Sequence, residues 1–173
     1  MNFSNLIFVI DVNVIIHLEK VNLLDELTND KNARIVDLVL YQEYQHKPNL
    51  ISKKISKIKT ISLNEMQVAE SQNLYMKNRR NSIFDYFSYI AARDNNGILL
   101  TGDWKLKKSI NKNSDVDVRG AIWYVKYLKE KGIIDENRLL DIYKTWLEDI
   151  TVYMPNEILE ELIKEIERNM VNN

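Results

Sequence analysis

The sequence predicts an α/β fold, a three-layer α/β/α sandwich with a mainly parallel central sheet, followed by a helical C-terminal extension. Over residues 1–112, short apolar segments alternate with amphipathic helical patterns, as expected when helices connect parallel strands. Residues 113–173 show helical patterns alone. The 173 residues contain no repeat and no linker-like tract, so we expect one domain in which residues 113–173 pack on the core.

Four segments are predicted to be strands: residues 6–10, 34–36, 58–63 and 98–101. The first is apolar at every position and is followed by Asp11. This pattern is typical of a short strand that is buried on both faces of a parallel sheet.

The predicted helices lie between and after these strands. Helices should follow Asp11, cover residues 39–45, and begin after the N-cap residues Asn64 and Ser82. A further helix is expected at residues 104–110, and the extension should hold helices at 120–131, at 135–147 and from Pro155 onward. The last helix carries an apolar stripe that we expect to form an interface or a lid: Ile158, Leu159, Leu162, Ile163 and Ile166.

The composition limits the chemistry that the chain can perform. It contains no cysteine and two histidines, which excludes disulfides, thiolate zinc sites, cysteine nucleophiles and histidine-rich metal sites. Its apolar runs are far shorter than the ~18 residues of a membrane span, and no secretory signal opens it, so we expect a cytoplasmic protein without a membrane partner. Any reaction must therefore use carboxylates, hydroxyls, lysines or arginines.

The charge is unevenly distributed along the chain. Residues 47–112 hold 13 Lys and Arg against 5 Asp and Glu, whereas the segments before and after them are acidic. A contiguous basic region would bind a polyanion, and solvated lysine faces are the alternative explanation.

Four acidic residues occupy positions where parallel α/β folds bind ligands. Asp11 and Asp103 lie just past the ends of predicted strands, at the edge of the sheet where such folds hold their sites. Asp85 lies in the helix after Ser82, and Glu43 lies in the helix after the second strand. We expect all four carboxylates to meet at this edge.

Clustered carboxylates require a compensating charge. Two of them ~4 Å apart repel by about 4 kcal/mol at an effective dielectric constant near 20. A hard divalent cation is the simplest compensation, and oxygen ligands favour Mg²⁺ or Mn²⁺. Because such an ion stabilises phosphoryl oxygens, a phosphodiester is the expected substrate.

The motifs Asp11-Val-Asn13, Glu43, Ser82-Ile-Phe-Asp85 with Ala91-Ala92, and Thr101-Gly-Asp103 resemble those of PIN-domain (PilT N-terminus) ribonucleases over about residues 5–110. The resemblance implies an RNA endonuclease with one or two Mg²⁺ or Mn²⁺ ions on a parallel α/β/α sheet. Asp11, Glu43, Asp85 and Asp103 would be the catalytic, metal-binding quartet. Asn13, Thr101 and Ser82 would orient metal-bound water or the neighbouring acids.

The same resemblance concerns the partners of the chain. Many bacterial members are toxins of toxin-antitoxin pairs, so an antitoxin protein and a homodimer are candidate partners beside the RNA substrate. The chain departs from the common small toxins by its longer helical C-terminus.

Two basic groups would hold RNA phosphates: Lys105, Lys107 and Lys108 after Asp103, and Arg79 and Arg80 before Asp85.

Each site residue also has a purely structural interpretation. Asp11 and Asp103 would each cap the helix that follows, and Glu43 would be a surface residue. Asp85 has no comparable structural explanation in a run of aromatic residues. Tyr75, Tyr86 and Tyr89 would stack bases or belong to the core, and His17 is expected to be structural.

Two other functions compete with the ribonuclease. Haloacid-dehalogenase-like phosphatases use an aspartate at the end of the first strand and a second one two residues later, where this chain has Asn13, a poor proton donor. A catalytically inactive RNA-binding or assembly module is the other alternative. Four clustered negative charges disfavour it, because they weaken the binding of a polyanion.

Overall fold

The computed structural model describes residues 6–46, 54–110 and 116–171, apart from the side chains of residues 43–46. Within these ranges, five parallel strands form one sheet in the order β3-β2-β1-β4-β5. The strands are β1 (Phe8–Ile10), β2 (Ala33–Val36), β3 (Lys59–Ile61), β4 (Ile98–Leu100) and β5 (Asp117–Arg119). Every residue of β1 and β4 is buried, as expected for central strands that are covered on both faces.

Nine helices accompany the sheet in the described ranges. Those of the core are α1 (Val12–Lys20), α2 (Leu24–Asn29), α3 (Asp37–His46), α4 (Glu65–Lys77), α5 (Ile83–Asp94) and α6 (Trp104–Ile110). The C-terminal helices are α7 (Ala121–Glu130), α8 (Glu136–Glu148) and α9 (Asn156–Val171). The described residues include no helix that is long and apolar enough to cross a lipid bilayer.

The order in which strands are added to the sheet reverses at β1. From β1 the chain builds outward through β2 and β3, then returns to add β4 and β5 on the other side. Strands β1 and β4 pair in register, with Ile10 beside Leu100. The residues that follow these two strands therefore emerge together, at the place where parallel α/β folds bind ligands.

Helices on the sheet form the predicted α/β sandwich. Helix α5 packs on β1, β2 and β4, with α3 and α4 beside it. Helix α7 reaches β1 through edge-to-face contacts of Phe8 with Trp123, Tyr124 and Tyr127. Helix α8 joins α1, because Trp146 Nε1 donates a hydrogen bond of 3.0 Å to the carbonyl oxygen of His17.

Two expectations for the C-terminal part are wrong. The segment is not purely helical, because β5 adds a fifth strand to the sheet. Strand β5 has one buried residue, Val118, between two exposed charged residues, and it therefore leaves no apolar run in the sequence. The stripe on α9 is mainly internal core, because Leu159, Ile163 and Ile166 are buried and α9 packs on α8. Ile158 alone among the stripe residues is exposed, by 46%.

Candidate active site

Asp11 stands at the end of β1 with its carboxylate held by two side chains. It is 8% exposed, and its backbone N–H donates to the Leu100 carbonyl oxygen of β4 at 2.9 Å. The Thr101 hydroxyl donates to Asp11 Oδ2 at 2.7 Å, and the Asn13 side-chain amide donates to the same oxygen at 3.2 Å. These two hydrogen bonds fix the orientation of the Asp11 carboxylate.

The electrostatic environment of Asp11 disfavours its charge. Burial raises the pKa of its carboxyl from 3.8 to about 6, and the nearby charge of Asp85 also raises it. The hydrogen bonds from Thr101 and Asn13 act in the opposite direction. Asp11 precedes α1 but its side chain makes no capping hydrogen bond, so the interpretation of Asp11 as a simple helix cap is wrong.

Asp103 is placed by the loop that follows β4. Its backbone N–H donates to Thr101 Oγ1 at 3.0 Å, so a single hydroxyl contacts both this backbone and the Asp11 carboxylate. Asp103 Oδ1 accepts hydrogen bonds from the backbone N–H groups of Lys105 and Leu106, at 2.7 and 3.3 Å. The capping role considered for Asp103 is confirmed, and it fixes the direction of the side chain.

Asp85 is positioned by a reciprocal capping box at the start of α5. The Ser82 backbone N–H donates to Asp85 Oδ2 at 2.6 Å, and the Asp85 N–H donates to Ser82 Oγ at 3.1 Å. The expectation that Asp85 lacks a structural explanation is therefore wrong. Burial raises the pKa of the Asp85 carboxyl above its usual range, the Ser82 hydrogen bonds lower it, and the charge of Asp103 raises it further.

The three aspartates interact in pairs at one edge of the sheet and do not form the single tight cluster that the sequence predicts. The charge of Asp85 acts on Asp11, and that of Asp103 acts on Asp85. In each carboxylate one oxygen accepts the positioning hydrogen bonds, and the other has no side-chain partner within the described part of the chain.

The described residues contain no group of three or more His, Cys, Asp or Glu side chains close enough together to hold a metal ion. Glu43, the fourth predicted acid, falls in α3, and its side chain lies outside the described residues. The donors that are present are oxygens in a partly desolvated, mutually repelling set. That donor chemistry fits a hard divalent cation.

His17 lies beneath the loop between Thr101 and Asp103. The side chain is buried, and burial lowers the pKa of the imidazole below its usual value. A Cβ atom at Gly102 would lie 3.2 Å from His17 Cε1, which shows how closely the imidazole supports this loop. Glycine is therefore favoured at position 102.

The two basic groups adjoin each other. Asn78 Nδ2 donates to Ser109 Oγ at 3.2 Å, which ties the turn that contains Arg79 and Arg80 to α6. Lys105, Lys107 and Lys108 on α6 are exposed, like the two arginines. In the described ranges none of these five cations forms an ion pair.

The aromatic residues near the site divide into core and surface. Tyr86 and Tyr89 are buried, which confirms the core interpretation for both, and Tyr75 is half-buried. Trp104, which the sequence reasoning passed over, is 64% exposed directly after Asp103. A large aromatic residue next to a candidate catalytic aspartate was the signal for it.

Comparisons with known proteins agree with this fold. A family model described as a PIN domain matches residues 7–168, nearly the whole chain. The crystal structure of PAE2754 from Pyrobaculum aerophilum is similar, with a TM-score of 0.53 at 13% identity, over 75% of this chain and 96% of that one. At this identity the similarity supports the fold alone. No curated protein matches the sequence.

Proposed function

Because the chain belongs to the PIN-domain family, whose members are usually nucleases, we propose that it is a metal-dependent endoribonuclease that hydrolyses RNA phosphodiester bonds. The observation that carries the proposal is that three aspartates, each oriented by its own hydrogen bonds, lie at one edge of the sheet, where the charge of Asp85 acts on Asp11 and that of Asp103 acts on Asp85. Their mutual repulsion is maintained in the fold without a compensating lysine or arginine bonded to any of them in the described residues. A divalent cation bound there would compensate the charge of such a set.

The proposed roles follow from the contacts. Asp11, Asp85 and Asp103 hold one or two Mg²⁺ or Mn²⁺ ions, and Glu43 is the fourth ligand. Thr101 and Asn13 orient Asp11, while Ser82 orients Asp85. A bound divalent ion lowers the pKa of water and stabilises the charge that develops on phosphoryl oxygens.

The unpaired cations around the site support RNA as the substrate. Lys105, Lys107, Arg79 and Arg80 are exposed and lie on the two elements that flank the acids. They neutralise backbone phosphates on either side of the cleaved bond, which offsets the repulsion between RNA and the carboxylates. Binding should therefore weaken steeply as the salt concentration rises.

The first test is cleavage of a labelled RNA in Mg²⁺ or Mn²⁺ and in EDTA. We expect EDTA and the substitution Asp85→Asn each to abolish cleavage. Asparagine at position 85 keeps an oxygen that accepts the Ser82 hydrogen bond, so the fold should survive. The matched control is Asp94→Asn on the same helix, an aspartate that pairs with Arg93 away from the acids and whose loss should leave cleavage intact.

Two results would contradict this proposal. Cleavage that persists in EDTA would exclude the metal, and an active Asp85→Asn variant would remove Asp85 from the site. RNA that is bound but never cut would favour the inactive binding module. The toxin role extends the proposal to an antitoxin partner, and arrest of cell growth by the wild-type chain but not by Asp85→Asn would support it.

A further inference from the structure

Trp104 is placed on the surface although its type favours the interior. Of the three tryptophans in the chain, Trp146 is 1% exposed and Trp123 packs in parallel on Tyr127, whereas Trp104 is 64% exposed. Leaving an indole in water sacrifices the stabilisation that its burial would provide. Single exposed apolar side chains also occur elsewhere on this surface, so the argument for a ligand depends on what surrounds the ring.

The ring is adjacent to the acids and rests on a fixed support. Trp104 is the first residue of α6 and follows Asp103 directly. Helix α6 is anchored because Leu106 and Ile110 are buried in the core. Asp103 caps its first turn through two backbone N–H groups, so Trp104 and Asp103 are held in one rigid unit.

The charges around the ring suit a nucleotide. Lys108 lies four residues further along α6, with its ammonium nitrogen 5.7 Å from the centroid of the Trp104 ring. Lys105 and Lys107 on the same helix have no ion-pair partner in the described part of the chain. An exposed aromatic ring among free cations is the combination that binds an unpaired base and its phosphates.

The geometry points to Trp104 as a base-stacking residue that binds the nucleotide next to the cleaved phosphate. The inference rests on the proposed ribonuclease function and adds the residue that selects an unstacked, accessible base at the cut site. The indole offers one face to that base, while Lys108 holds the side chain in place and contacts the adjoining phosphate.

The test combines a protein variant with a substrate variant. The cut site in a single-stranded RNA oligonucleotide is first mapped with the wild-type chain, and oligonucleotides are then made with an abasic residue on either side of it. We expect Trp104→Ala to lower kcat/KM about 5- to 100-fold on intact RNA, mainly through KM, because one base stack is lost. Trp104→Phe should restore most of the activity.

The abasic substrate isolates the stacking contact. On the RNA that lacks the stacked base, Trp104→Ala and wild type should cleave equally. The abasic residue has already removed the stacking contact, so removing the indole as well costs nothing more. Tyr153→Ala is the control, because Tyr153 is also an exposed aromatic residue, at 90%. It lies in the connection between α8 and α9. The ion pair between Lys20 and Asp149 joins this connection to the end of α1 that is farther from Asp11.

The outcomes separate this inference from the function on which it rests. An unchanged kcat/KM in Trp104→Ala, or an equal loss on intact and abasic RNA, would overturn the role of Trp104 while the nuclease stands. If the wild-type chain cuts no RNA, the ribonuclease function fails. In that case, anisotropy measurements of RNA binding replace the cleavage assay, with oligonucleotides that carry an abasic residue at each position in turn. They decide whether Trp104→Ala loses affinity for a base or for the backbone alone.

Discussion

Replacing Asp11 with asparagine should remove activity and stabilise the metal-free protein. Burial holds the pKa of Asp11 at about 6 in the folded chain, against 3.8 as the ordinary value. The folded state therefore binds this proton more tightly than the unfolded state. The resulting stability is fully present below pH 3.8 and is lost as the pH rises through about 6.

The size of the effect follows from the shift. About two pKa units correspond to about 3 kcal/mol of folding free energy lost at neutral pH. The hydrogen bonds from Thr101 and Asn13 are already included in this shift, and asparagine keeps an oxygen that accepts both of them. The expected gain at pH 7.5 is therefore about 3 kcal/mol, or about 6 to 12 °C in Tm for a chain of this length.

Urea or thermal unfolding in EDTA at pH 4.5, 6.0 and 7.5 measures this gain. The difference between Asp11→Asn and wild type should grow with pH, from about 1 kcal/mol at pH 4.5 to its full size at pH 7.5. Mg²⁺ should stabilise the wild type more than the variant. A variant less stable than wild type at pH 7.5, or a difference independent of pH, would refute the desolvation argument.

Three further predictions concern packing and charge. Gly97→Ala should cost about 1–3 kcal/mol in urea unfolding, since its Cβ would lie 2.8 Å from a backbone carbonyl oxygen just before β1; a neutral result would contradict the close approach. Leu159→Ala should lower the free energy of unfolding by about 2–5 kcal/mol and the exposed Ile158→Ala far less, because the first is core; equal effects would argue against the packing of α9 on α8. Lys107→Ala should weaken RNA binding and reduce the salt slope by about 1, whereas Lys31→Ala, on the opposite edge of the sheet, should change neither.

The sequence predicts the centre of the fold well because burial leaves a strong pattern there. The run that ends at Asp11 is apolar throughout, and its strand lies in the middle of the sheet. Strand β5 lies at an edge, where a three-residue strand needs one buried side chain, Val118, and so leaves no periodic signal. Edge strands of this kind depend on tertiary pairing rather than on local preference.

The candidate site is predictable in its residue types but not in its contacts. The spacing of Ser82 and Asp85 is that of a capping box, yet the sequence does not show which oxygen of Asp85 the cap uses. The exposure of Trp104 depends on how α6 turns on the core, which Leu106 and Ile110 decide together. Helical periodicity alone does not separate a buried ring from an exposed one at the first position of a short helix.

The loop after β4 depends on contacts with residues that come later in the chain. The Thr101 backbone N–H donates to the Arg119 carbonyl oxygen of β5 at 2.8 Å, and Trp146 holds the backbone of α1 beneath the neighbouring loop. A nascent chain that has emerged only to residue 112 lacks both contacts. The edge that carries Asp11 and Asp103 is thus completed only once the C-terminal part of the chain has folded onto the core.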